Sequence, residues 1–99
     1  MASKVYRIEE PRQLMELEKF AKETPSGLNS VIRVWQANRR KNGKTPWDNS
    51  FHVVFSGTRE RKAYILRLDA KYTPVQKVPV RYNLAMHYCE EHLEETSRR

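Results

Sequence analysis

Phe51, Val53 and Phe55 alternate with His52, Val54 and Ser56, and soon afterwards Tyr64, Leu66 and Leu68 alternate with Ile65 and Arg67. A period of two over five or six residues is the pattern of a half-buried strand. The connection from Gly57 to Arg61 is too short for a crossover, so the two strands must pair antiparallel as a hairpin. An isolated hairpin is at best marginally stable in water, so the rest of the chain has to cover one of its faces. With 99 residues there is room for that cover and for one modest core, in a single domain spanning 1–99.

The flanks supply helices. Pro11 suits a first helical position, and Leu14, Leu17, Phe20 and Ala21 share a stripe, which predicts a helix from Pro11 to about Glu23. Thr24, Pro25, Ser26 and Gly27 break it. Val31, Ile32, Val34 and Trp35 then favour strand by propensity. Their spacing disagrees: Leu28, Val31, Ile32 and Trp35 fall on one helical face, with Ser26 placed to cap the start and Gly43 to end it. A helix is therefore expected over 29–41, with a cation-edged strand as the alternative. Val5 to Ile8 reads as an edge strand and Asn42 to Ser50 as a loop. Asp69 to Val78 reads as a connector, and Pro79 as the start of a last helix that carries Tyr82, Leu84, Ala85, Met86, Tyr88, Cys89 and Leu93 on a broad face. Residues 96–99 read as a frayed tail. The expected fold is α+β: three helices packed on a short antiparallel sheet built around the 51–68 hairpin.

Charge narrows the partner. The net charge is +7, and between Thr24 and Arg81 there are 12 Lys and Arg against three Asp and Glu. Glu90, Glu91, Glu94 and Glu95 gather near the other end. A basic middle beside an acidic end predicts a polyanionic partner, nucleic acid first, DNA or RNA. Arg33, Arg39, Arg40, Lys41, Lys44, Arg59, Arg61 and Lys62 are the expected phosphate contacts. Trp47, in a loop after Thr-Pro, is the expected base-stacking residue, and Trp35 belongs to the core. Three glycines leave no phosphate-binding loop, and there is no serine-hydrolase elbow, so no cofactor is expected. The function expected is that of a non-enzymatic accessory or regulatory nucleic-acid-binding protein, of the kind small viral or plasmid chains provide. The rival is an inhibitor or adaptor that docks its basic surface on an acidic site of a larger protein. A homodimer through Tyr82, Met86 and Leu93 is a further reading. One cysteine, no bilayer-spanning apolar run and no signal-peptide core in MASKVYRIEE predict a cytoplasmic protein without a membrane partner.

Two likenesses bear on chemistry. Ile32-Arg33-Val34-Trp35 with Asn38-Arg39-Arg40 resembles the recognition helix of a homeodomain, and Leu14 to Lys19 that family's first helix. The resemblance implies adenine reading by Asn38. It stops there: Phe20 to Ile32 leaves no room for a second helix, and a hairpin follows, so the likeness is that of a basic amphipathic helix. Pro46-Trp47-Asp48 with Asp69-Ala70-Lys71 is similar to the metal-binding pattern of restriction-type nucleases, which implies a lesser alternative in which Asp48 and Asp69 share a divalent ion near Lys71. Trp47 interrupts that pattern. Cys89 and His92 share a helix face, but two ligands do not close a zinc site, and none is expected.

Overall fold

The computed structural model describes residues 4–23, 27–42, 49–57 and 59–96, with the backbone alone for Lys41 and Asn42. Its elements run β1 (Lys4–Ile8), α1 (Pro11–Glu18), α2 (Leu28–Asn42), β2 (Ser50–Phe55), β3 (Ala63–Leu68), β4 (Pro74–Val80) and α3 (Tyr82–His92). The four strands form one antiparallel sheet in the order β1-β2-β3-β4. Three helices on an antiparallel sheet make the fold α+β, as expected. The likeness to a homeodomain therefore ends at single helices.

Register sorts the sheet into two faces. Tyr6, Val53, Ile65 and Val78 stand in one row across it, and Phe55, Ala63 and Val80 lie in the next. All seven are buried and join one core with Leu14 and Leu17 of α1, Leu28, Ile32 and Trp35 of α2, and Ala85 and Cys89 of α3. All three helices thus cover the same face. Phe55 meets Tyr6 and Tyr82 edge-on, with ring centroids 5.7 and 5.5 Å apart. Trp35 stacks on Phe51 at 5.5 Å and 13°. Those contacts fix where α3 and α2 sit on the sheet.

The helix ends show local competition. Gln13 Oε1 accepts the backbone N–H groups of Glu9 and Glu10 at 2.9 and 3.0 Å, and Pro11 takes the first helical position, so α1 starts where expected. It stops at Glu18 instead of running to about Glu23. Lys22 N–H donates to the Pro79 carbonyl at 3.0 Å, and Arg81 N–H to the Phe20 carbonyl at 2.9 Å. Sheet pairing of residues 20–22 has displaced the last helical turn. Gly27 precedes α2 at φ 77°, a backbone region that costs any side chain about 1–2 kcal/mol. The helix reading of α2 holds, while its expected caps, Ser26 and Gly43, lie outside the described residues.

A fourth strand replaces the expected connector. Pro79 reads as the start of a helix, but it lies with Pro74 in an edge strand, which tolerates proline because one side needs no ladder hydrogen bonds. Pro79 consequently belongs to β4, and α3 begins at Tyr82. Tyr82, Met86 and Leu93 pack against the chain's own core, which accounts for the broad apolar face that suggested a homodimer. Thr96, expected in a frayed tail, donates its N–H to the Val5 carbonyl at 2.7 Å. Among the described residues no helix is long and apolar enough to cross a membrane.

Candidate nucleic-acid interface

Burial of Leu28, Ile32 and Trp35 sets the rotation of α2 and therefore what it shows to solvent. Arg33, Ala37 and Arg40 form an exposed stripe on the opposite side. The helix contains no Asp or Glu. Arg39 and Arg40 lie in its last turns, where the helix dipole also favours cations.

α1 packs beside α2, with Gln36 Nε2 3.2 Å from Met15 Sδ. At this seam Arg12 of α1 joins Arg39 and Arg40 around an open cleft of about 250 Å³, completed by Glu10, Pro11 and Gln36. Among the described residues Glu10 is the one carboxylate of the lining. The ion pairs among the described residues lie elsewhere: Lys4–Glu90, Lys19–Glu16, and His87 and His92 with Glu91. Three guanidiniums thus converge beside Glu10 without an ion pair among the described residues. Each can offer a bidentate pair of N–H donors, the geometry that suits phosphate or carboxylate.

The hairpin tip forms a separate cluster. Ser56 and Lys62 close the hairpin through Ser56 N–H to Lys62 O at 2.9 Å and Lys62 N–H to Ser56 Oγ at 3.0 Å. Arg61 donates to Asn83 Oδ1 at 2.6 Å and lies 4.9 Å over the Tyr82 ring, so it ties the tip to the start of α3. Arg59 and Lys62 are exposed. The tip follows Phe55, whereas the arginine cleft adjoins Glu10, just after Ile8, which pairs with Phe51. Phe51 and Phe55 are separated by roughly 14 Å along the strand. The basic stretch 33–62 is therefore two clusters at opposite ends of the sheet. Lys44, Trp47 and the side chain of Lys41 lie outside the described residues.

Sequence reasoning missed Arg12, because only the packing of α1 on α2 brings it to the cleft. It also missed the sheet face away from the helices. There the register aligns Arg7, His52, Leu66 and Lys77 in one row and Val5, Val54, Tyr64 and Pro79 in the next. None of the four strands contains Asp or Glu. Lys77 Nζ sits 4.3 Å over the Tyr64 ring. His52 is held below its ordinary pKa by burial and by the neighbouring Arg7.

The residues of the lesser readings have structural duties. Asp69 Oδ1 accepts the N–H groups of Lys71 and Thr73, both at 2.9 Å, and so closes the β3–β4 turn. Asp48 lies outside the described residues. Cys89 is fully buried, and burial pushes its thiol up to about 12. His92 is exposed and tilts against Tyr88 at 4.6 Å. Among the described residues no group of three or more His, Cys, Asp or Glu side chains could hold a metal ion. The chain matches no protein-family model, no curated protein and no solved structure.

Proposed function

We propose that this chain is a non-enzymatic nucleic-acid-binding protein of accessory or regulatory type. It grips the phosphate backbone through Arg12, Arg39 and Arg40, with Arg33 extending the contact along α2. The observation that carries this reading is the convergence of three arginines from two helices on one open cleft, with no ion pair to offset them among the described residues. Holding like charges together is unfavourable for the free chain, and a polyanion relieves it while releasing counterions.

The test is a salt series. Fluorescence anisotropy of labelled oligonucleotides should show log affinity falling linearly with log salt, and Arg12→Ala, Arg39→Ala and Arg40→Ala combined should flatten the slope. Each lost phosphate contact removes about 0.9 from the slope on duplex and about 0.7 on single strands, so the triple variant should lose roughly 2 to 3. Absence of binding at low salt overturns the reading and turns the same cleft toward acidic side chains of a protein partner. An unchanged slope in the triple variant removes the cleft from the contact.

A further inference from the structure

We propose that the helix-free face of the sheet is a platform for single-stranded nucleic acid, a refinement that rests on the nucleic-acid reading above. The row Lys77–Leu66–His52–Arg7 crosses all four strands and bears a cation at each end. At the usual strand spacing it spans roughly 14 Å, the reach of two or three nucleotides. The adjacent row, Pro79–Tyr64–Val54–Val5, is apolar apart from the Tyr64 hydroxyl. Phosphates placed along the first row would therefore lay their bases on the second, where Tyr64 offers a ring to stack on. In the free chain Lys77 lies over that ring, so a phosphate that draws the ammonium aside also uncovers the stacking surface.

Charge decides between occupants. A second copy seated on this face would bring Arg7, His52 and Lys77 against their own kind, because no strand supplies a carboxylate. Glu9 and Glu94 line a cavity of about 250 Å³ with Arg7 but form no ion pair with it. A duplex keeps its bases stacked inside and gains nothing from an exposed tyrosine, whereas a single strand presents both phosphates and unpaired bases. Continuity supports the same choice. Arg7 and His52 pair one residue away from Ile8 and Phe51, at the sheet end that leads to Glu10 and the arginine cleft. One strand can leave the platform at Arg7 and pass on to Arg12, Arg39 and Arg40.

The experiment compares a labelled twelve-residue oligothymidine with a duplex of the same length, using Tyr64→Leu, Lys77→Glu and the Arg12, Arg39, Arg40 alanine variant. Wild type should favour the single strand. Tyr64→Leu keeps an apolar side chain and should weaken single-strand binding roughly 5- to 150-fold, with duplex binding little changed. Lys77→Glu, at an exposed position, should weaken it as well, which keeps the test decisive if Tyr64→Leu fails to fold. If single-strand affinity survives both substitutions but falls in the arginine variant, the platform is wrong and the nucleic-acid reading stands. If wild type binds neither oligonucleotide, both fall. A dimer that Lys77→Glu dissociates, with oligonucleotide binding unchanged, would give the face to a second copy and overturn the proposal.

Discussion

Trp35→Ala tests the placement on which the interface depends. Trp35 is 8% exposed and stacks on Phe51, which is fully buried at the start of β2. Truncating a buried tryptophan to alanine costs about 3–5 kcal/mol, from lost transfer energy and from the cavity left behind. A domain of this size holds about 5–15 kcal/mol in all, so the variant should remain folded at 25 °C with much of its margin gone. At about 4–8 °C per kcal/mol, the melting temperature should fall by roughly 12–40 °C. Urea unfolding followed by far-ultraviolet circular dichroism gives the free energy without relying on tryptophan emission. The slope against urea should stay the same, since the exposed surface on unfolding barely changes. A double-mutant cycle with Phe51→Leu should return a coupling of about 0.5–1.5 kcal/mol for the stacked rings. A loss below about 1 kcal/mol with no coupling would refute the reasoning, because the cost of emptying a core site would be missing. α2 would then be rotated about its axis, and Arg33 and Arg40 would no longer define its outer stripe.

Three further outcomes are expected. Asp69→Ala leaves the Lys71 and Thr73 N–H groups without their carboxylate and should cost about 1–2 kcal/mol in urea unfolding, comparable to losing a helix cap; no loss would mean that the turn closes by itself. His52 has its pKa lowered from 6.5 by burial first and Arg7 second, so the unfolded chain takes up its proton more readily than the folded one. The stability this contributes is present above pH 6.5 and is lost as pH falls through the folded value. The urea midpoint should therefore drop below pH 6.5 by more in wild type than in His52→Gln, and equal drops would contradict the assigned environment. Cys89, buried and with its thiol raised to about 12, should resist iodoacetamide at pH 8 until urea unfolds the chain; prompt alkylation of the native protein would place it outside the core.

Where periodicity and burial agreed, the fold was legible from residues alone. β2 showed itself by strict alternation and β3 as an apolar run, though in β3 Ala63 and Ile65 face the core and the expected row of Tyr64 and Leu66 faces away from it; α2 showed itself by the spacing of Leu28, Val31, Ile32 and Trp35, which prevailed over the strand propensity of Val31, Ile32 and Val34. β4 was hidden because only Val78 and Val80 point to the core, on either side of Pro79, a proline that an edge position tolerates. α1 was overextended because the apolar spacing of Phe20 and Ala21 continued its stripe, and nothing local shows that their backbone is needed by Pro79 and Arg81. The site divides in the same way. Arg33, Arg39 and Arg40 stand out as a basic run on an amphipathic helix. Arg12, and the rows that carry Arg7, His52, Tyr64 and Lys77, come together only through tertiary packing and strand register, which no linear spacing encodes.

The edges of the sheet narrow how any partner can approach. A free edge strand invites pairing with another chain, and this protein closes both of its edges at one end. On β1, Thr96 donates to the Val5 carbonyl and Glu95 bridges to Tyr6. On β4, Ala21 bridges to Val80 and Lys22 donates to Pro79, while Pro74 and Pro79 remove two donors and Lys77 adds charge. Strand addition is therefore disfavoured along most of either edge, by pairing on one and by proline and charge on the other. Side-chain surface remains open to a partner, including the helix-free face and the arginine cleft, both toward the end of the sheet where Ile8 pairs with Phe51. Both surfaces are basic, while the carboxylates of Glu90, Glu91, Glu94 and Glu95 lie in the last turn of α3 and the segment that follows it. For the proposed polyanion this uneven charge, with Glu94 beside Arg7 and Glu10 in the cleft as its carboxylate rim, would set an orientation before contact. It should make association faster at low salt, and reversing Glu94 and Glu95 to lysine should erode the orientation with little change in fold stability.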